Sequence, residues 1–188
     1  MKKKLLVVLL IIISMATGCS VKKVEDLSPA EKFAKEYSVS KDNSFKYISI
    51  DEVLDIFKSG SGIVFFGNSD NEESTETVKL FMESILESKH SDIVVYYYNP
   101  VVIRDNDTSK YNELVDLLGD NLSKNSDDNS YLYLPDIYFV KDGKILGHNN
   151  EVAISKKEED NNTQEEYRNK LKEKYIKLLN DYSEDTNN

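Results

Sequence analysis

The chain has 188 residues and a mass of 21.6 kDa, which suits a single domain with tails. Hydrophobic residues make up 39% of it, enough for a packed core, and a formal charge of -10 disfavours DNA or RNA as a partner. One cysteine excludes an intrachain disulfide, a Cys-x-x-Cys redox pair and a zinc site built from several cysteines.

The beginning of the chain has the layout of an export signal. Lysines at positions 2–4 precede an apolar run at 5–13. This run is shorter than the about 20 residues that span a bilayer. The following Ala16-Thr17-Gly18-Cys19 resembles the bacterial lipobox, with Ala16 where Leu is usual. That resemblance implies a signal peptide at 1–18 and a lipid anchor on Cys19 that holds the protein on the extracytoplasmic face of the cell membrane. The alternative is an ordinary secretory signal with an incidental cysteine.

Residues 19–43 are polar and are predicted to form a tether. Ser28, Pro29 and Glu31 have the pattern of a helix start, with Ser as the N-cap and Glu as its capping-box partner. Phe33 and Tyr37 lie four residues apart and would give a short helix an apolar edge. The polar composition is equally typical of a disordered segment, so both interpretations stay open.

The elements from residue 44 onward alternate between strand and helix patterns. Alternation at 45–50 and apolar runs at 63–66 and 93–98 predict three strands, because such runs suit half-buried or central strands. Helical spacing predicts helices after the capping box of Ser49 and Glu52, at 72–88 and at 108–118.

The C-terminal half adds a hairpin and a last helix. An Asp-Gly turn at 142–143 separates apolar runs at 136–140 and 145–148, which is a strong hairpin signal. Thr163 and Glu166 form a further capping box before an apolar stripe that ends at Tyr182. The order β-α-β-α-β-α-β-β-α predicts an α/β domain at 44–182 with a central mixed sheet, followed by a disordered tail at 183–188.

Three segments of this domain resemble thioredoxin-like proteins. The first is Leu134-Pro135-Asp136-Ile137-Tyr138-Phe139-Val140-Lys141-Asp142-Gly143-Lys144-Ile145, which follows the family pattern of an apolar residue, a cis-Pro, a strand, a basic-Asp-Gly turn and a second strand. The others are the strand ending in Phe66-Gly67, as in bacteriocin-transport accessory and disulfide-isomerase-like proteins, and the helix from Glu72. The resemblance implies a thioredoxin-like three-layer sandwich.

The redox motif of that family is missing. Counting from Gly67 places Asn71 and Ser74 where the two cysteines of Cys-x-x-Cys would stand. Thiol–disulfide exchange needs a thiolate nucleophile, and neither side chain supplies one. Cys19 cannot substitute if it is acylated. We therefore expect no enzyme activity, no catalytic residue and no cofactor.

The family resemblance also implies a peptide groove beside the cis-Pro, where extended peptides bind by strand-like backbone pairing. Tyr131, Tyr133, Leu134 and Pro135 would line it, while the alternative is that these side chains pack in the core or at a strand edge. The expected function is non-catalytic binding of a peptide or protein partner. The alternatives are an oxidoreductase relative that acts with a partner's thiols and a bacteriocin-accessory role at the cell envelope.

Metal binding is not expected. The acidic spacing from Asp105 to Asp116 resembles an EF-hand loop, but Lys110 replaces the required Gly and Asp116 the closing Glu. A polar loop in which Asp107 or Thr108 caps a helix is the favoured explanation of this segment. His90 and His148 have no second His or Cys at ligand spacing.

Overall fold

The computed structural model describes residues 27–90, 92–153 and 161–186, and these form an α/β fold around a five-stranded mixed sheet. The predicted α/β class with a central mixed sheet is confirmed. The helices are α1 (Pro29–Tyr37), α2 (Ile50–Ser59), α3 (Glu72–Ser88), α4 (Val101–Asn106), α5 (Thr108–Leu118) and α6 (Asn161–Thr186). The strands are β1 (Phe45–Tyr47), β2 (Gly62–Phe66), β3 (Val95–Tyr98), β4 (Ser123–Lys124), β5 (Ser130–Tyr131), β6 (Asp136–Lys141) and β7 (Lys144–Asn149).

The five-stranded sheet has the order β1-β3-β2-β6-β7. β3 pairs in parallel with both β1 and β2, whereas β6 pairs antiparallel with β2 and with β7. β4 and β5 form a separate two-stranded hairpin. The carboxyl ends of β1, β2 and β3 therefore meet at one edge of the sheet, which we call the carboxyl edge. Loops at such an edge are a common place for binding sites in α/β folds.

Two apolar cores lie on opposite faces of the sheet, because successive side chains of a strand point to opposite sides. Phe65 packs into the core shared with α1, α3 and α6, and Phe66 into the core shared with α2, α4 and α5. We call these the first face and the second face. All five residues of β2 are buried, as its unbroken apolar run predicts.

Helix α1 is part of the packed domain. Its capping box of Ser28 and Glu31 is present, and the left-handed residue Ser38 ends it. Phe33 and Tyr37 are 0% exposed, and the ring of Phe33 stacks at 4.1 Å on that of Phe45. The helix expected as one of two options within the 19–43 tether is thus present, and the core takes in residues before 44. Burial of two large rings is the physical reason.

The structure differs from the predicted elements in three further places. Helix α4 was not predicted, and the loop expected at 119–130 contains a turn of 3₁₀ helix (Gly119–Asn121) and the hairpin of β4 and β5. Helix α6 continues to Thr186, beyond residue 183 where a tail was expected. Neighbouring packing, which local patterns do not report, decides short elements of this kind.

The turn between β6 and β7 depends on glycine. Gly143 has φ of +73°, and its N–H donates to the carbonyl of Gly60 at 2.7 Å. A Cβ atom at Gly143 would lie 2.6 Å from the carbonyl oxygen of Lys58. The Asp-Gly signal therefore predicts the hairpin correctly, and the close approach to the end of α2 explains why a side chain is not tolerated there.

Candidate functional site: a cleft at the carboxyl edge

The two positions where the thioredoxin-like resemblance would place a Cys-x-x-Cys pair lie at the start of α3. Asn71 is the N-cap, and its side-chain oxygen accepts the N–H of Glu73 at 2.7 Å. Ser74 is 0% exposed, and its hydroxyl accepts the N–H of Asn68 at 3.3 Å. Asn71 therefore faces the surface, while Ser74 is enclosed beneath the loop that joins β2 to α3.

Residues 131–135 lie across from this turn of α3, on the other side of a surface cleft. Leu132 is 2% exposed and packs in the second-face core, whereas Tyr133 is 44% exposed. The rings of Tyr131 and Tyr133 meet edge to face at 4.8 Å. Alternation thus sends Leu132 inward and leaves both tyrosines at the surface, so core packing explains only part of this segment.

A cleft of about 350 Å³, which we call the tyrosine cleft, joins these two segments. It brings together three of the predicted groove residues, Tyr131, Tyr133 and Leu134, and one predicted redox-motif position, Asn71. The remaining lining residues are Asn68, Val101, Arg104 and Leu132.

Pro135, which was expected to line the groove, is not among the residues that line the cleft, and neither is Ser74, although Ser74 does lie in the first turn of α3 as the counting from Gly67 implies. Pro135 is buried, and the peptide bond between Leu134 and Pro135 is cis. It directly precedes Asp136, which pairs with Phe66 at the end of β2. Pro135 is buried directly before a central strand, and Ser74 is buried beneath the loop that joins β2 to α3. Neither side chain therefore reaches the surface.

Arg104 is the cationic group of the tyrosine cleft, and sequence reasoning missed it. Its Nη1 donates to the hydroxyl of Tyr131 at 2.6 Å, and its Nε donates to Asp105 at 3.1 Å. The hydrogen bond to Asp105 raises the pKa of Arg104 further, so the guanidinium stays charged. The available signal was the pair Asn99-Pro100, since the side chain of Asn99 accepts the N–H of Val101 at 3.0 Å and opens α4.

A buried carboxylate follows Pro135, and no sequence pattern pointed to it. Asp136 is 1% exposed, and its two oxygens lie 3.1 Å and 3.2 Å from Nδ1 of His148 on the neighbouring strand. The ring of His148 stacks on that of Tyr138 at 4.8 Å. Burial raises the pKa of Asp136, and the hydrogen bond with His148 opposes this rise. Asp136, Tyr138 and His148 thus form a cluster of ionisable side chains on the second face. Asp136 and Tyr138 belong to β6, the strand that begins next to the tyrosine cleft.

The EF-hand-like segment forms helix rather than a metal loop. Asp107 caps α5, with its carboxylate accepting the N–H of Lys110 at 3.3 Å. Within the described residues, no group of three or more His, Cys, Asp or Glu side chains is arranged to hold a metal ion. His90 lies at the opposite edge of the sheet, with Nε2 3.0 Å from the side-chain oxygen of Asn180.

The predicted signal peptide and Cys19 lie outside the described residues, so lipidation of Cys19 remains a prediction. Across residues 27–90, 92–153 and 161–186, no helix combines the length and the apolar character needed to cross a bilayer. Comparisons with protein-family models, with curated proteins and with solved structures found no match. The function is therefore inferred from the geometry of the cleft.

Proposed function

We propose that this protein is a membrane-anchored extracytoplasmic lipoprotein whose redox-inactive thioredoxin-like domain binds a peptide or protein partner in the tyrosine cleft. The observation that carries this proposal is the meeting of Asn71, at the start of α3, with Tyr131, Tyr133 and Leu134 in one open cleft. These are the positions where the thioredoxin-like resemblance predicts a redox-motif residue and a peptide groove.

The thioredoxin-like part of the proposal has independent structural support. The strand and helix alternation predicted from the residue patterns forms one mixed sheet, with α3 directly following the central strand β2. The bond before Pro135 is cis, as in the family pattern, and Leu134 lines the same cleft as Asn71. A cis-Pro beside the first turn of that helix is what the resemblance implies.

Loss of redox activity follows from the chemistry of Asn71 and Ser74. A mixed disulfide requires a sulfur nucleophile, and both side chains lack sulfur. The carboxylates of Glu72 and Glu73 occupy the first turn of α3, where they favour the helix dipole and would oppose a thiolate. An insulin-reduction assay is expected to give no rate above the background without protein, and turnover at a thioredoxin-like rate would refute this part of the proposal.

The lining of the tyrosine cleft suits a polypeptide ligand. Tyr131 and Tyr133 offer ring surface, which gives large contact area at a low entropy cost. Asn68, Asn71 and Arg104 surround the rings with amide and guanidinium groups. Such a mixture of apolar rings and a few polar groups matches the alternating side chains and backbone amides of an extended peptide.

The described chain begins at the end of the domain opposite to the tyrosine cleft. The start of α1 lies beside the amino ends of β1 and β3, where the side-chain amide of Asn43 donates to the carbonyl of Ala30 at 3.1 Å. The segment between Cys19 and Ser28 can extend about 30 Å at roughly 3.3–3.6 Å per residue. A lipid on Cys19 would thus keep the start of α1 within about 30 Å of the membrane.

A crosslinking pull-down of the native protein from membranes tests the proposal. The double variant Tyr131→Ser, Tyr133→Ser is expected to lose a partner that wild type captures, with its thermal unfolding midpoint unchanged within a few degrees. Leu86→Ser is the matched control, because Leu86 is 74% exposed on α3 and does not line the cleft. Equal capture by wild type, control and double variant would refute the cleft as the binding surface.

The anchor is tested separately by Cys19→Ala. We expect this variant to move from the membrane fraction to the soluble fraction. Equal recovery of both forms in the soluble fraction would refute lipidation without bearing on the cleft, because the two parts of the proposal rest on different residues.

A further inference from the structure

A second cleft opens on the other side of α4, also at the carboxyl edge. It encloses about 400 Å³ between α1 and the ends of β1 and β3. Val101 lines the tyrosine cleft, whereas the next residue, Val102, lines this one and is 62% exposed. The lining residues are Lys32, Glu36, Tyr47, Ile48, Tyr97, Tyr98, Asn99 and Val102, and we call this the glutamate cleft.

The carboxylate of Glu36 is held in place by hydroxyl groups. Tyr97 donates to it at 3.0 Å, Ser69 donates at 3.1 Å, and Tyr47 donates to its other oxygen. Burial raises the pKa values of Tyr47 and Tyr97, so both phenols stay protonated and remain donors. The result is a fixed negative charge at the wall of an aromatic cleft.

A cation of the chain itself already uses this cleft. The ammonium of Lys32 lies 4.4 Å from the centroid of the Tyr47 ring, which is the geometry of a cation–π contact. Lys32 is an exposed side chain on α1 with a flexible stem, so a second cation can displace it at the loss of this one cation–π contact. Its position shows that the cleft accepts an ammonium group.

The charges around the cleft also favour a cation. The carboxylates of Asp70 and Asp107 act on Tyr97 and Tyr98 respectively and add negative potential at this edge. The whole chain carries a formal charge of -10. Long-range attraction and the local carboxylate therefore act in the same direction.

We propose that the glutamate cleft binds a lysine or arginine side chain of a partner polypeptide, with its charge at Glu36 and its stem across the tyrosine rings. This inference goes beyond the proposed function, because it concerns a different cleft. Its residues are separate from Tyr131 and Tyr133. The proposal implies that the partner polypeptide carries a lysine or arginine residue where it meets the glutamate cleft.

The test uses two synthetic tripeptides and NMR of the full chain. Acetyl-Gly-Lys-Gly-amide is the probe, and the same peptide with norleucine in place of lysine is its neutral match. We expect the lysine peptide to shift the ring signals of Tyr47, Tyr97 and Tyr98 in a saturable way, and the norleucine peptide to bind at least about fivefold more weakly, as one cation–π contact with a charge pair supports.

Two variants of α1 decide the outcome. Lys32→Met removes the ammonium group that contacts the Tyr47 ring and competes with the peptide for it. The lysine peptide is therefore expected to bind about fivefold more tightly. Lys35→Met is the matched control, since Lys35 is an exposed lysine on the same helix that does not line the cleft. Equal affinities of the two variants, or equal binding of the two peptides, would overturn the proposal.

A third variant tests the carboxylate. Glu36→Gln is expected to weaken the lysine peptide about fivefold if the variant remains folded. Because this change also disturbs three hydrogen bonds, the Lys32 and Lys35 pair carries the decision where Glu36→Gln does not fold. Tyr133→Ser is expected to leave the affinity unchanged, which separates failure of this site from failure of the tyrosine cleft.

Discussion

The two faces of the sheet bury different chemistry. On the first face, aromatic side chains pack against one another. The polar side chains that are completely buried there, such as Ser84 and Thr77, are neutral. The second face buries the carboxylate of Asp136 against His148 directly after Pro135. The first face therefore contributes stability that depends little on pH, whereas the second couples its packing to ionisation close to the tyrosine cleft.

The largest expected effect compares neighbouring residues of β2 that point to opposite faces. Phe65 and Phe66 are both 0% exposed, but Phe65 meets three aromatic rings within 5.9 Å and Phe66 meets two within 6.0 Å. Each change to Ala is expected to cost about 3–5 kcal/mol of unfolding free energy, with the larger loss for Phe65→Ala. Urea unfolding measures both. A larger loss for Phe66→Ala would contradict the ranking of the two faces.

The ionisation of Asp136 is the next test of the comparison. Burial raises the pKa of Asp136 in the folded state above its ordinary value of 3.8, so the folded protein holds this proton to higher pH than the unfolded chain does. Below pH 3.8 the carboxyl group of Asp136 is protonated in both the folded and the unfolded state. As the pH rises past 3.8, the wild type loses stability relative to Asp136→Asn.

Urea unfolding between pH 3 and 5.5 checks this prediction for wild type and Asp136→Asn. Asp120→Asn is the matched control at an exposed aspartate. A stability difference between wild type and Asp136→Asn that stays constant with pH would show that burial does not raise this pKa.

The N-cap residues of α1 and α2 allow the two faces to be compared through a smaller change in unfolding free energy. Ser28 caps α1 on the first face and Ser49 caps α2 on the second, each within a complete capping box. Both Ser→Ala variants are expected to lose about 1 kcal/mol of unfolding free energy. Thermal unfolding of each variant checks the prediction. An unchanged midpoint for Ser28→Ala alone would mean that α1 is not coupled to the core.

A smaller effect is expected for a hydroxyl on the first face. Oγ1 of Thr77 is buried and has no hydrogen-bond partner among the described residues. Thr77→Val is expected to stabilise the protein by about 0.5–1 kcal/mol, since it removes an unsatisfied polar group at nearly constant volume. Urea unfolding measures the gain, and a loss of stability would show that this hydroxyl is satisfied.

Ser84→Ala serves as the counterpart on the same helix. The hydroxyl of Ser84 donates to the carbonyl of Leu80 at 2.8 Å, so its removal costs a hydrogen bond that Thr77 does not have. The higher helix propensity of Ala offsets part of this cost, and the net change is expected within about 0.5 kcal/mol of zero.

Local patterns in the sequence account for most of the fold. Apolar runs predicted β2, periodicity predicted α3 and α5, and the Asp-Gly turn predicted the hairpin of β6 and β7. Capping boxes located the starts of α1 and α2. These features were predictable because each depends on residues a few positions apart. Part of the tyrosine cleft was also predicted, through Asn71, Tyr131, Tyr133 and Leu134.

What the tertiary structure alone decided are contacts between residues far apart in the chain. The bond between Arg104 and Tyr131 spans 27 positions, and those from Tyr97 and Ser69 to Glu36 span 61 and 33. The pair of Asp136 and His148 arises from the register of β6 against β7, which includes a shift after Phe139. Periodicity describes which face of an element is apolar, but it does not determine which elements meet. Sheet order and register bring these charged and aromatic groups together, and therefore the long-range contacts of both clefts follow from the fold.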